Sequence, residues 1–130
     1  MPVELNHTIV FSHDKATSAA FAAEVLGLGE PHPSGPFLGI ETTNGVTLDF
    51  MDVDADQKVG GEHYAFLVSE QEFDEIFARL GARGVEHFAD PAGQQPGRIN
   101  TNDGGRGCYF FDPDGHWLEI LTRPYGSGGS

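Results

Sequence analysis

Two histidines and two carboxylates in this 130-residue chain stand at matching places in a sequence that repeats itself. His7 follows Leu5-Asn6 in one apolar stretch, and His63 heads another, His63-Tyr64-Ala65-Phe66-Leu67-Val68. Asp49 lies within Leu48-Asp49-Phe50 and Glu119 within Leu118-Glu119-Ile120, each at the end of a hairpin-like segment. Taken singly these are ordinary residues: a strand histidine is more often a satisfied core residue than a ligand, and a strand carboxylate is usually just exposed. Their equivalence under the repeat reverses that weighing. Two paired halves would bring all four side chains toward one axis. Two neutral imidazoles plus a carboxylate suit a divalent first-row metal with open positions, and Fe, Mn, Ni and Zn all accept that donor set.

The elements that position these residues are legible from periodicity. Leu5 to Ser12 reads as an apolar strand, followed by a helix from Asp14 to Leu26 that has Asp14 as its N-cap and Gly27 at its stop. The second unit repeats the order, with a strand from His63 and a helix over Ser69 to Leu80 carrying Phe73, Ile76, Phe77 and Leu80 on one face. Hairpins then run from Phe37 to Phe50 around Asn44-Gly45 and from Gly107 to Ile120 around Asp114-Gly115, dipeptides that tolerate positive φ. The extra length of the second unit falls in Asp90 to Arg106, rich in Gly and Pro, which reads equally as a lid over a site or as a disordered insertion. The organisation expected is one domain over residues 1–124, with modules at about 3–53 and 62–123, and a flexible Gly/Ser tail over 125–130.

Strand alternation assigns faces. Leu48, Phe50, Leu118 and Ile120 point toward the helices, and Glu119 points the other way with Trp117 and Leu121. Asp49 shares its face with Thr47 and Met51, and His7 with Ile9 and Phe11. Both faces carry apolar residues, so something must cover the face without helices: a ligand, a partner chain or the curvature of the sheet itself.

Composition narrows the partners. Seven Lys+Arg against 20 Asp+Glu leave a formal net charge of −13, which repels nucleic acid and anionic membranes. Hydrophobic residues at 38% and aromatics at 11% support a folded core. The one cysteine, Cys108, excludes an intrachain disulfide and is expected to be a small buried hydrophobe. No apolar run reaches membrane-spanning length and no export signal is apparent, so a cytoplasmic protein is expected.

Leu5-Asn6-His7, His63-Tyr64-Ala65-Phe66 and Tyr109-Phe110-Phe111-Asp112-Pro113-Asp114-Gly115-His116-Trp117-Leu118-Glu119 together resemble the vicinal oxygen chelate superfamily, which includes glyoxalase I, bleomycin resistance proteins, fosfomycin resistance thiol transferases and extradiol dioxygenases. The resemblance spans residues 3–123, and the Asp-Pro-Asp-Gly turn running into Trp-Leu-Glu is its most specific part. It implies an α+β fold of two paired βαβββ modules whose mixed sheet forms a cup, with helices on the convex side. It further implies metal ligands at His7, His63 and Glu119, a fourth at Asp49, and a homodimer whose sites draw on two chains. The implied function is a metal-dependent enzyme acting on a small molecule that chelates the metal through adjacent oxygens.

Departures from the individual families limit the choice among them. Phosphonate recognition needs cations, and the loop offers only Arg98 and Arg106. The dioxygenase pattern from Tyr109 to Glu119 is present, but Asn100, Thr101 and Asn102 stand where those enzymes usually have a histidine. A second function remains open: metal-free sequestration of an aromatic or cationic antibiotic in a groove lined by Phe37, Tyr64, Tyr109, Phe111 and Trp117. Tyr109 reads equally as a hydrogen-bond donor to substrate and as a tyrosine reaching solvent. His13, His32 and His87 are expected to be exposed, and His116 to shape its turn.

Overall fold

The computed structural model describes residues 2–128 of the chain. They fall into two compact units that divide between Gly60 and Gly61.

In the first unit β1 (His7–Ser12) leads into α1 (Lys15–Leu26), and β2 (His32–Ser34), β3 (Phe37–Glu41) and β4 (Thr47–Asp52) follow. The sheet order is β1-β4-β3-β2, with β1 parallel to β4 and the other pairs antiparallel. The strand expected from Leu5 begins only at His7, and Leu5 itself is exposed. Asp14 caps α1 by accepting from the Thr17 amide, and Gly27 closes the helix in the left-handed region at φ 72°. α1 is rich in alanine, which lets it lie close on β1, β3 and β4. The core gathers Ala19, Phe21, Val25, Val10, Ile40, Leu48 and Phe50, all buried.

The second unit runs β5 (His63–Leu67), α2 (Glu70–Ala82), a 3-10 turn (Asn102–Gly104), β6 (Gly107–Phe111) and β7 (Trp117–Leu121). β7 is central, parallel to β5 and antiparallel to β6. Ser69 and Glu72 form a reciprocal capping box at the start of α2, which satisfies two amides the helix cannot pair itself. Phe73, Ile76 and Leu80 are buried on one face of α2 at helical spacing. Phe110, Leu118 and Ile120 are buried on the sheet, and Cys108 is fully buried among them, as expected from sequence. Burial pushes the Cys108 thiol up to about 12.

The second module departs from the βαβββ order at its second strand. The segment where that strand is expected makes only isolated pairings, Phe88 with Pro96 and Tyr109, and Asn100 with Gly107. Prolines at 91 and 96 and glycines at 93 and 97 break the alternation and remove ladder donors, so no continuous strand forms. The loop is nonetheless tied down. Asp90 accepts from the amides of Gln94 at 2.9 Å and Gln95 at 2.7 Å, and those bonds hold its carboxyl below the usual range. Asn100 Nδ2 donates to the Ala89 carbonyl at 2.8 Å.

Both hairpins turn where Asn-Gly and Asp-Gly place them, with Gly45 at φ 83° and Gly115 at φ 84°. Among the described residues, no helix is long and apolar enough to cross a membrane.

Candidate metal centre

β5 and β7 run parallel with His63 opposite Trp117 and Ala65 opposite Glu119, while β6 sets Tyr109 opposite Glu119. This register gathers His63, Tyr109, Trp117 and Glu119 on one face. Glu119 is only 1% exposed, an expensive place for a carboxylate without partners. Its Oε1 lies 3.1 Å from His63 Nε2. Its Oε2 accepts a hydrogen bond from the Tyr125 hydroxyl. Because that hydroxyl spends its proton on Glu119, the 2.8 Å contact between Tyr109 and Tyr125 has Tyr109 as donor. A directed chain therefore runs from Tyr109 through Tyr125 to the carboxylate. Burial, reinforced by the adjoining carboxylate, raises both phenols above their ordinary range.

The other ring nitrogen of His63 decides what this pair can do. Nδ1 stands 2.8 Å from the Trp117 carbonyl, which can only accept, so Nδ1 carries the hydrogen. In a neutral imidazole Nε2 then presents a lone pair, and it faces a carboxylate oxygen. Two acceptors this close call for a cation between them: a proton on Nε2, or a metal ion. A histidine whose second nitrogen is fixed by a backbone carbonyl is oriented as metal-binding histidines are. The donor chemistry of this face therefore fits a divalent first-row ion.

In the first unit, His7 is exposed at the head of β1, with its Nδ1 2.7 Å from Asn6 Oδ1. Asp49 is half-buried on β4, opposite Ile9 on one side and Gly39 on the other. A Cβ on Gly39 would stand 3.0 Å from Asp49 Oδ1 and 3.2 Å from His32 Nε2. Glycine there leaves room for a carboxylate and an imidazole to lie side by side over the strand. Phe11, Met51 and Phe37 form a row across the same sheet face, two residues further along the strands from Ile9, Asp49 and Gly39.

An aromatic platform flanks the second-unit pair. Trp117 stacks on Tyr109 at 5.6 Å between ring centroids and meets Phe111 at 4.2 Å and Phe88 at 5.4 Å. Phe111 is 51% exposed at its edge. Leu121 stands opposite Leu67, one alternation beyond Glu119.

Three sequence expectations change. Tyr64 pairs in register with Leu118, on the face opposite Glu119, and packs edge-on against buried His116 at 6.1 Å, so it does not line a groove with Trp117. Arg106 does not reach toward substrate: its guanidinium bonds Glu70 at 2.7 Å and Asp74 at 2.8 Å and lies 4.4 Å over the Phe73 ring. Two carboxylates on the exposed turns of α2 outcompete an open site for that cation, while Arg98 stays exposed. Finally, the expected flexible tail is held over its described part, since Asp103 Oδ1 accepts from the amides of Gly126 and Gly128, both at 3.1 Å. Residues 129 and 130 of that tail lie outside the described residues. Tyr125 is the site residue that sequence reasoning missed; its one signal is an aromatic ring in an otherwise Gly/Ser stretch.

A second group of close donors, Asp112, Asp114 and His116, sits at the β6–β7 turn with ligand atoms within 4.8 Å of one another. There Asp112 Oδ1 accepts from the amides of Asp114 at 2.9 Å and His116 at 2.8 Å, which shapes the turn.

With this geometry in view, comparison with known proteins is decisive about class. Residues 4–120 match the family model of the Glyoxalase/Bleomycin resistance protein/Dioxygenase superfamily, and the chain belongs to it. The solved structure of "Oxidase ChaP-H2" superposes with a TM-score of 0.95 at 56% identity, covering 99% of this chain and 100% of that one. "Glutathione transferase FosA" of Serratia marcescens is 31% identical over 123 residues, which is 89% of this chain and 78% of that protein. The fosfomycin resistance protein FosX of Listeria monocytogenes, solved with Mn(II) and sulfate, has a TM-score of 0.72 and 26% identity, with 98% of this chain and 96% of that one covered. The chain is an enzyme of this superfamily.

Proposed function

We propose that this chain is a metal-dependent oxidase acting on a small molecule that presents two adjacent oxygens. His7, His63 and Glu119 hold a divalent metal ion, with Asp49 as a candidate fourth ligand. One observation carries the reading: the Nδ1 hydrogen of His63 is engaged by the Trp117 carbonyl, so its Nε2 lone pair faces the buried Glu119 carboxylate at 3.1 Å. When bound, the ion supplies Lewis-acid polarisation of the substrate oxygens and a centre at which electrons can pass. The chain's own residues do the rest. Trp117 O and the Tyr125 hydroxyl orient the ligands, and the Trp117–Phe111 edge offers an apolar wall against which a substrate can lie.

The 56% identity to a protein named an oxidase favours oxidation over thiol transfer. The engagement of Arg106 with Glu70 and Asp74 points the same way, because it takes a cation from phosphonate recognition. The proposed assembly is a cytoplasmic homodimer with sites shared between chains. The test is elemental analysis of protein purified without added metal or chelator, beside His63→Ala, together with oxygen uptake on a panel of catechol-like substrates. Near-stoichiometric metal in the parent, depletion in the variant, and oxygen uptake that follows metal content are expected. Negligible metal in both, with tight binding of an aromatic cationic drug, would move the chain to the sequestering class.

A further inference from the structure

Glu119 has two oxygens, and they are treated differently. Oε1 faces His63 Nε2, whereas Oε2 is taken by the Tyr125 hydroxyl. Tyr125 is 59% exposed as a residue, yet its hydroxyl meets the buried Glu119 carboxylate. An exposed ring in a Gly/Ser-rich segment would ordinarily sample many rotamers, so something must hold it. The holding contacts lie in the backbone around it. The Asp103 carboxylate ties down the amides of Gly126 and Gly128 on the far side of Tyr125, and an Arg123 guanidinium nitrogen reaches the Ser127 carbonyl at 3.4 Å. Asp103 makes these contacts from φ 58°, a left-handed conformation unusual for a residue with a side chain. Gly105 beside it sits so close to the terminal segment that a Cβ would lie 2.5 Å from Thr122 Oγ1. The 3-10 turn and the terminal segment therefore form one clasp, and the clasp presents a phenol to a metal-binding carboxylate.

We infer that Tyr125 is a positioning residue that reserves Glu119 Oε2, so that the carboxylate binds the metal through Oε1 alone. This rests on the metal reading proposed above. A carboxylate bound through one oxygen leaves a coordination position that chelation through both would fill, and the open position is available to substrate. Tyr109, which donates to Tyr125, keeps the phenol's lone pair engaged so that its hydrogen stays on Glu119.

The test titrates metal-free protein with Co(II), whose visible absorption weakens as coordination number rises, using the parent, Tyr125→Phe and His63→Ala. Tyr125→Phe removes the hydroxyl and leaves the ring, so folding should be unchanged by circular dichroism. The expected result is one Co(II) bound by both parent and Tyr125→Phe, with the variant about tenfold weaker, the size of effect an outer-sphere partner usually has. Its visible band should also be weaker as the second carboxylate oxygen joins. A Tyr125→Phe titration and spectrum superimposable on the parent, with Co(II) lost in His63→Ala, would overturn the inference and leave the metal reading standing. A parent that takes up no Co(II) would overturn both.

Discussion

The two units share an opening strand and helix and a closing hairpin, but not a manner of holding their polar residues. The first has four strands, and its candidate ligands stand in loose surroundings: His7 is exposed beside its neighbour Asn6, and Asp49 is half-buried over the bare backbone of Gly39. The second has three strands, and its candidate ligands are tied by hydrogen bonds, although the His63 side chain is itself 45% exposed. His63 is fixed through Trp117 O, and Glu119 is buried between His63 and a pair of tyrosines. A duplicated topology thus distributes donor residues evenly while pre-organising them unevenly. The three-stranded unit ties its candidate ligands to a backbone carbonyl and a phenol, whereas His7 in the other is tied to its sequence neighbour Asn6.

This contrast can be broken most sharply at the two carboxylates. Glu119→Gln should weaken Mn(II) or Co(II) binding by more than the roughly hundredfold that removing an outer-shell partner costs. Asp49→Asn should weaken it by about tenfold or less, both read by calorimetric titration. Equal losses would mean that the two units contribute alike to metal affinity. A smaller effect is expected from Gly39→Ala. The added methyl would press on the side chains of Asp49, His32 and Thr47, each of which must give by a few tenths of an ångström, at a cost of about 1 kcal/mol in denaturant unfolding.

Arg106→Ala should cost only about 1 kcal/mol, because its partners Glu70 and Asp74 are exposed to screening and the stacking on Phe73 supplies much of the remainder. Metal affinity should not change, which would sharpen the conclusion that this arginine belongs to α2 and not to the site.

The mildest test uses pH. The Cys108 thiol titrates near 12 in the folded chain against an ordinary value of 9.0. The folded state therefore keeps a proton that the unfolded state releases over that interval. Its contribution to stability is complete below pH about 9 and is lost as pH rises toward about 12. Native protein should resist thiol-specific labelling at pH 8 and react fully once unfolded. Rapid labelling of the native protein would show that the second unit's core is open.

Much of this is legible in the residues, for physical reasons. Asp14 and Gly27 bracket α1, and Ser69 with Glu72 opens α2, because helix ends need those partners whatever the tertiary context. Asn44-Gly45 and Asp114-Gly115 fix hairpin register, and register alone puts Glu119 on the face opposite Leu118 and Ile120. The missing strand of the second unit is hidden because Phe88 and Ala89 are apolar and buried yet followed by Pro91 and Pro96, which interrupt a ladder. The fate of Arg106 depends on two acidic residues distant in sequence, Glu70 and Asp74. Tyr125 is invisible because the composition around it argues for flexibility, and the contact that overrides composition comes from Asp103, whose unusual backbone conformation no local pattern announces. Tyr64 is misplaced for a simpler reason: it follows His63 directly, and adjacent strand residues face opposite ways.

The central claim is that His63 and Glu119 are a metal-binding pair. It is tested most directly by anomalous diffraction from crystals grown with Mn(II). A single strong peak about 2.0–2.3 Å from both His63 Nε2 and Glu119 Oε1 is the predicted result. A peak at the Asp112–Asp114–His116 turn instead, or no peak while His63 Nε2 keeps its direct contact with Glu119, would contradict it.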